Sequence, residues 1–266
     1  MQDLTTGQFE LVGNFFSFTI AAMGAATAFL WLNRSQVARR YRAAVTISGL
    51  VTFIALYHYF RIYASWTGAY GVAADGALLA NDGAGFNDAY RYVDWLLTVP
   101  LLLVELILVM GLSKAETFSK AVRLGGLAAL MIILGYPGEV SQDVGTRWFW
   151  WALAMIPFIW IVVELFVGLK SSIENQPKEA RGLINAARWL VILSWSFYAI
   201  VFVFPMIGLS GGVANASVQI GYSIADVVAK AVFGILIYMI AVRKSEAEGF
   251  NGDGNPPLAS STGRIN

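Results

Sequence analysis

Seven separate stretches of this chain are apolar for long enough to cross a lipid bilayer. A hydrocarbon core of ~30 Å needs about 20 apolar residues wound as a helix. The runs fall at roughly 9–33, 43–66, 88–112, 119–137, 147–169, 184–208 and 216–242. Without water to satisfy it, the backbone of such a run must bond to itself, which at this length means a helix. The expected fold is an all-α membrane protein, a bundle of seven transmembrane helices. The runs fill most of the 266 residues, so one membrane domain is expected over 1–244, with no soluble domain inserted. No internal repeat is evident, which weighs against an inverted-repeat transporter.

Charge orients the bundle. Arg34, Arg39, Arg40 and Arg42 follow the first run, and Lys114, Lys120 and Arg123 follow the third. Lys170, Lys178, Arg181 and Arg188 flank the connection after the fifth, and Arg243, Lys244 and Arg264 follow the seventh. These are fourteen of the eighteen basic residues, all on one side of a seven-span topology. The opposite side carries Asp75, Asp82, Asp88, Glu139 and Asp143. The positive-inside rule therefore places the N-terminus outside and the C-terminus in the cytoplasm. The opening residues lack a basic segment and carry Asp3 and Glu10, so the first run is expected to be a retained helix and not a signal peptide. The connection at about 67–87 is rich in Gly and Ala and contains Asn81-Asp82-Gly83, a sequence compatible with a hairpin. Residues 245–266 are rich in Gly, Asn, Pro and Ser and are expected to form a disordered cytoplasmic tail.

Composition removes several function classes. A net charge of +1 gives no basic field for nucleic acid. The chain has no cysteine, which excludes disulfides and thiol chemistry. Its single histidine, His58, rules out a multi-histidine metal centre, and no metal is expected.

Ionisable groups in a membrane core are expensive and are functional candidates by default. The third run holds Arg91, Asp94 and Glu105, the seventh Asp226 and Lys230, and the second His58. Asp94 and Thr98 are spaced i, i+4 and share a helix face, as do Asp226 and Lys230. Asp94 and Glu105 are eleven residues apart, close to three turns, so one face recurs about 16 Å along the axis. In the inferred topology Asp94 lies in the outer half, Lys230 near mid-membrane and Glu105 in the inner half. An outer acid pair, a central amine and an inner acid form the series that a transmembrane proton wire needs, each site tuned by its own surroundings. Taken singly, each group also has a plainer reading. Asp226 and Lys230 can be a structural ion pair, Glu105 an interhelical hydrogen-bonding group, Arg91 a snorkelling side chain and His58 a core histidine bonded to a carbonyl.

The stretch Arg91-Tyr92-Val93-Asp94-Trp95-Leu96-Leu97-Thr98-Val99-Pro100-Leu101-Leu102-Leu103-Val104-Glu105 strongly resembles the third helix of the microbial rhodopsins. Asp226-Val227-Val228-Ala229-Lys230 resembles their retinal-attachment segment, and Trp195-Ser196-Phe197-Tyr198 the sixth-helix wall of the retinal pocket. Gly135-Tyr136-Pro137-Gly138-Glu139 and His58-Tyr59-Phe60-Arg61-Ile62-Tyr63 look like the proteorhodopsin and xanthorhodopsin branch. The resemblance covers all seven runs. It implies a retinal Schiff base on Lys230, with Asp94 as primary counterion and proton acceptor and Asp226 as second counterion. It implies Glu105 as cytoplasmic proton donor and His58 as a partner that pairs with Asp94. The Asp94, Thr98, Glu105 triplet is the family's proton-pump pattern. Trp95, Leu102, Met131, Gly135, Trp195 and Tyr198 would line the retinal, and leucine at position 102 would favour green absorption. The implied activity is light-driven outward proton transport in a bacterial inner membrane, rather than enzymatic turnover. The implied partners are protons, lipids and further copies of the chain, as trimer or pentamer.

The sequence departs from the family in places. Ala199 stands where a proline usually follows the sixth-helix tyrosine, which puts the local helix geometry in question. Residues 200–225 hold no acid, so a carboxylate release group there, as in haloarchaeal pumps, is missing. Release is then expected to be late, or to come from water near Arg91. Trp151 stands where antenna-bearing xanthorhodopsins have glycine, so a carotenoid antenna is not expected. Two other readings compete. A retinal photosensor signalling to a partner usually lacks an efficient donor, and Glu105 argues against it. A seven-helix receptor or transporter without photochemistry leaves the pattern of Lys230 and Asp94 unexplained.

Overall fold

The computed structural model of the chain describes residues 4–72, 78–81, 85–209 and 211–250. Among them seven helices are long and apolar enough to span a membrane: α1 (Thr6–Gln36), α2 (Arg39–Ala69), α3 (Ala89–Met110), α4 (Lys114–Val140), α5 (Val144–Gly168), α6 (Lys178–Ile207) and α7 (Gly212–Ala247). They match the seven apolar runs one to one, with ends displaced by one to six residues. Helix ends are set by capping groups, which hydropathy does not see. The Thr5 hydroxyl accepts from the Gln8 N–H while the Gln8 side chain accepts from the Thr5 N–H, a reciprocal capping box. Ser113 and Glu116 do the same for α4. At α5 the Asp143 carboxylate accepts from the Thr146 N–H at 2.6 Å, and this bond holds the carboxyl below its ordinary value.

The helices differ in how much protein surrounds them. In their most apolar windows α3 is 61%, α7 56% and α2 50% buried, against 11% for α4 and 22% for α5. The charged runs are thus the central helices. One main core joins α3 to α6 and the inner half of α7, with residues such as Leu103, Leu106, Ile107, Ile184, Phe233 and Ile237. A second cluster, built from Val12, Phe16, Tyr59, Ile62 and Trp66, closes the outer ends of α1 and α2.

Between α2 and α3 lies an antiparallel hairpin, β1 (Tyr70–Val72) and β2 (Leu78–Ala80), with Tyr70 opposite Ala80 and Val72 opposite Leu78. The connection between the strands, 73–77, lies outside the described residues, as do Asp82 and Gly83 of the expected turn. Asn81 ties the end of β2 to the end of α2, with its N–H on the Ala69 carbonyl at 3.0 Å and its side-chain amide on Gly68 at 2.8 Å. The tail boundary expected at 245 falls inside α7, whose buried Ser245 accepts from the Ala38 N–H at 2.9 Å. The rest of the expected tail, from 251 onward, lies outside the described residues.

Helix α3 ends at Gly111, whose φ of 62° is left-handed. A Cβ there would also stand 2.8 Å from the Arg40 guanidinium and 3.2 Å from the Tyr41 ring. A side chain in this conformation costs about 1–2 kcal/mol. Gly111→Ala is expected to lower stability by about that amount, read as a lower midpoint of helical circular dichroism on heating in detergent.

Candidate functional site

Lys230 sits in a π-helical turn of α7, Val227–Val232, and is 1% exposed. Such wide turns are rare and recur at functional sites. Its Nζ donates to Asp94 Oδ2 at 2.6 Å and to Asp226 Oδ1 at 2.5 Å. Both carboxylates are as buried as the amine. Charges in a low-dielectric interior persist only when paired and hydrogen-bonded, and here one ammonium is clamped between two anions. The i, i+4 spacing read from the sequence does bring Asp226 to Lys230, and Asp94 meets the pair from α3.

The outer side of this centre is densely bonded. Asp226 accepts from the Tyr59 hydroxyl at 2.7 Å, the Tyr198 hydroxyl at 2.7 Å and the Trp95 indole at 3.3 Å. Arg91, 1% exposed, donates to Gln219 Oε1 at 2.5 Å and to the Tyr59 hydroxyl at 3.3 Å, and stands 3.6 Å from Asp88. Its guanidinium also lies over the rings of Phe16, Tyr59 and Tyr222. Arg91 is therefore a fixed buried cation and does not snorkel. With Lys230 it balances the charge of the two aspartates.

The inner side is different. Glu105 is fully buried on α3, and neither of its carboxyl oxygens has a hydrogen-bond partner among the described residues. Thr98, between Asp94 and Glu105, donates to the Asp94 backbone carbonyl at 2.8 Å and leaves the carboxylate free of it. The expected pairing of His58 with Asp94 is not made. His58 Nδ1 and Asp94 Oδ1 are both buried without a hydrogen-bond partner among the described residues. The other Asp94 oxygen is turned to the Lys230 ammonium, a charge-assisted bond stronger than one to a neutral imidazole.

A cleft runs from Lys230 between α3, α4, α5 and α6. All seven residues expected to hold the chromophore line it: Trp95, Leu102, Met131, Gly135, Trp195, Tyr198 and Lys230. The walls are aromatic and aliphatic and the polar groups gather at the lysine end, which suits a long apolar polyene anchored by one nitrogen. Tyr92, Phe158, Phe202 and Tyr222 also line the cleft and were not singled out from the sequence. The network residues Tyr59 and Gln219 carry no charge that marks them in the sequence, and Asp88 reads there only as an outer loop acid. A second groove shares Trp151, Met155, Phe158 and Ala199 with the cleft and opens along α5 and α6. The Trp151 indole donates to the Ala199 carbonyl at 3.0 Å. The helix runs without a break through Ala199 to Val203, so the missing proline leaves α6 regular there.

Comparison with known proteins agrees with this geometry. A green-light absorbing proteorhodopsin from Gamma-proteobacterium EBAC31A08 is 29% identical over 240 residues, covering 89% of this chain and 88% of the relative. The bacteriorhodopsin of Halobacterium salinarum is 28% identical over 236 residues, 86% of this chain and 83% of that one. Among solved structures, xanthorhodopsin, described as a light-driven ion pump with dual chromophore, superposes with a TM-score of 0.89 at 52% identity, covering 93% of this chain and 98% of that one. A thermophilic rhodopsin superposes at 0.90 with 44% identity, over 94% of this chain and 100% of its own. The family model for bacteriorhodopsin-like proteins matches residues 10–244, and with seven membrane-spanning helices converging on a buried lysine the chain belongs to that family of microbial rhodopsins.

Proposed function

We propose that the chain is a light-driven outward proton pump that works through retinal attached to Lys230. In this reading Asp94 accepts the proton, Asp226 is the second counter-charge and Glu105 is the cytoplasmic donor. The observation that carries it is the buried Lys230 amine held at 2.6 and 2.5 Å by two aspartates, with Glu105 three turns inward on the helix that bears Asp94. The names of the similar proteins, a proteorhodopsin and a light-driven ion pump, support the same reading. Retinal bound as a protonated Schiff base supplies the light-driven change of shape that redirects the nitrogen between the two sides. The residues do the rest. Asp94 Oδ2, already in contact with Nζ, takes the proton on the outer side. Tyr59, itself held by Arg91, and Tyr198 hold Asp226 in place as a fixed anion. Glu105, separated from the outer network, returns a proton from the inner side. An acceptor outside and a donor inside set the direction. Leu102 against the cleft fits green absorption. Assembly as a trimer or pentamer in the lipid is carried over from the resemblance alone.

Cells carrying the pigmented protein in unbuffered medium are expected to acidify that medium under illumination, and an uncoupler should abolish the change. Colour without acidification would instead indicate a sensor. Asp94→Asn removes one of the two anions at Nζ and leaves its positive charge less pinned. It is expected to move the absorption band to longer wavelength and to stop the acidification; a variant that still pumps would remove Asp94 from the acceptor role.

Glu105→Gln lies about 16 Å inward of Asp94 and should leave the colour nearly unchanged. The return of the proton to Nζ after a flash is expected to slow by about a hundredfold or more, the lower end of a general acid's contribution, and to recover with added azide. An unaltered return rate would exclude Glu105 as donor.

The absence of an antenna belongs to the same proposal. Trp151 stands in the wall between the cleft and the lipid-facing groove, and its bond to Ala199 fixes the indole there. Removing a large aromatic side chain opens a cavity. Mixed with a hydroxylated carotenoid, the native protein should show no energy transfer in its excitation spectrum, and Trp151→Gly should gain some. Clear transfer in the native protein would contradict the sealing role of the indole.

A further inference from the structure

The cytoplasmic end of the bundle holds a polar feature that the reaction centre does not use. Lys244, near the end of α7, is 2% exposed although it carries a charge. Its Nζ donates to the backbone carbonyls of Val109 at 2.9 Å and Met110 at 2.5 Å and lies 4.8 Å from the centre of the Tyr41 ring. Val109 and Met110 are the last residues of α3 before the left-handed Gly111, and the carbonyls at a helix C-terminus lack partners within the helix. The lysine satisfies two of them and pins the inner end of α7 to α3. Above it Glu248 accepts from the Tyr41 hydroxyl and pairs with Arg40 at 3.3 Å.

A polar cleft opens onto the same spot. Arg40, Glu116, Asn175 and Glu248 stand around it, with Met110 and Lys244 also in its lining. It is bounded by the starts of α2 and α4, the end of α3, the segment between α5 and α6, and the end of α7. All of these lie on the side to which the basic residues assign the cytoplasm. Glu105 lies four residues before Val109 on α3, about 6 Å along the axis. The turn between them presents Leu106, Ile107 and Val109, each 0% exposed. A polar, solvent-facing cleft thus ends one helical turn from the buried acid, and Lys244 lies where the two meet.

We propose that this cleft is the vestibule through which protons reach Glu105 from the cytoplasm, and that the bond of Lys244 to the end of α3 closes its floor. The carboxylates of Glu116 and Glu248 stand at the rim, where acids gather protons from water. The lysine holds the last turn of α3 shut while the donor keeps its proton, and loosening α7 from α3 admits water to the turn below. Lys244 acts through α3 and touches neither donor nor amine, so it is a positioning residue. The inference rests on the pump reading above.

The lack of native cysteine makes the test clean. Asn175→Cys in the full-length pigmented protein is treated with a water-soluble, positively charged methanethiosulfonate reagent. Light-driven proton uptake from the cytoplasmic side is followed with a pH dye before and after. Labelling should slow uptake about tenfold and a reductant should reverse it, while labelled Lys178→Cys, exposed but outside the cleft, should change it less than about twofold. Failure of Asn175→Cys to react, or full reaction with unchanged uptake, overturns the vestibule. For the floor, the readout is thiol reactivity and not transport. Met110→Cys should react at least about ten times faster when combined with Lys244→Met, and equal rates overturn the clamp. If the double variant loses its colour, Met110→Cys with the milder Lys244→Gln replaces it under the same criterion. A protein that takes up no protons in light before any labelling would refute the pump reading itself, a result distinct from uptake that is present and indifferent to the label.

Discussion

A lysine ammonium between two buried aspartates organises this protein. In a membrane interior an unpaired charge is penalised by several kcal/mol, so each of these groups depends on the others. The pairing joins α3 to α7, the two most enclosed helices, and draws in Tyr59 from α2 and Tyr198 from α6 through Asp226. Four helices are thereby referenced to one nitrogen. The aromatic cleft ends at that nitrogen, and the position of every lining residue follows from it.

The two halves of the membrane are built on different rules. Outside the lysine, Arg91, Gln219, Tyr59 and Asp88 form a continuous set of polar contacts leading to the surface. Inside it, the hydroxyls bond to one another or to backbone: Thr27 to Thr52 at 2.8 Å, Ser48 to the Ala44 carbonyl at 3.2 Å. Glu105 is fully buried, with the Ser48 side chain beside it. A polar path on one side and a dry barrier on the other already make the molecule directional before any charge moves.

The spans were legible in the sequence because hydropathy depends on composition alone, and the charged centre because acids and lysines are rare in lipid. Asp226 and Lys230 needed only helical spacing. Neutral partners were harder. Gln219 and Tyr59 carry no charge to betray them, and their roles depend on how α2 and α7 are rotated against α3. The π-helical turn around Lys230 was invisible, since nothing in Val227-Val228-Ala229-Lys230 breaks an ordinary helix. A hairpin in the 67–87 connection was legible from its Gly and Asn content, but not the bond by which the Asn81 side chain holds the end of α2. The resemblance pairs His58 with Asp94, but no hydrogen bond joins them, and the Asp94 oxygen that is bonded meets the Lys230 ammonium. Lys244 was counted only as a loop charge that sets orientation, and the carbonyls it meets belong to a helix distant in sequence.

The uneven burial of the helices makes the bundle mechanically lopsided. Sliding an α4 or α5 surface from protein contact to lipid contact changes little, because lipid tails are as apolar as leucine and no hydrophobic force holds such helices together. Displacing α3 or α7 breaks ion pairs and buried hydrogen bonds. One side of the cleft, at Met131, Gly135 and Trp151, belongs to the compliant wall, and its Lys230 end to the stiff one. A change of length along the cleft is therefore absorbed as sideways travel of α4 to α6, while the charged rail keeps its alignment.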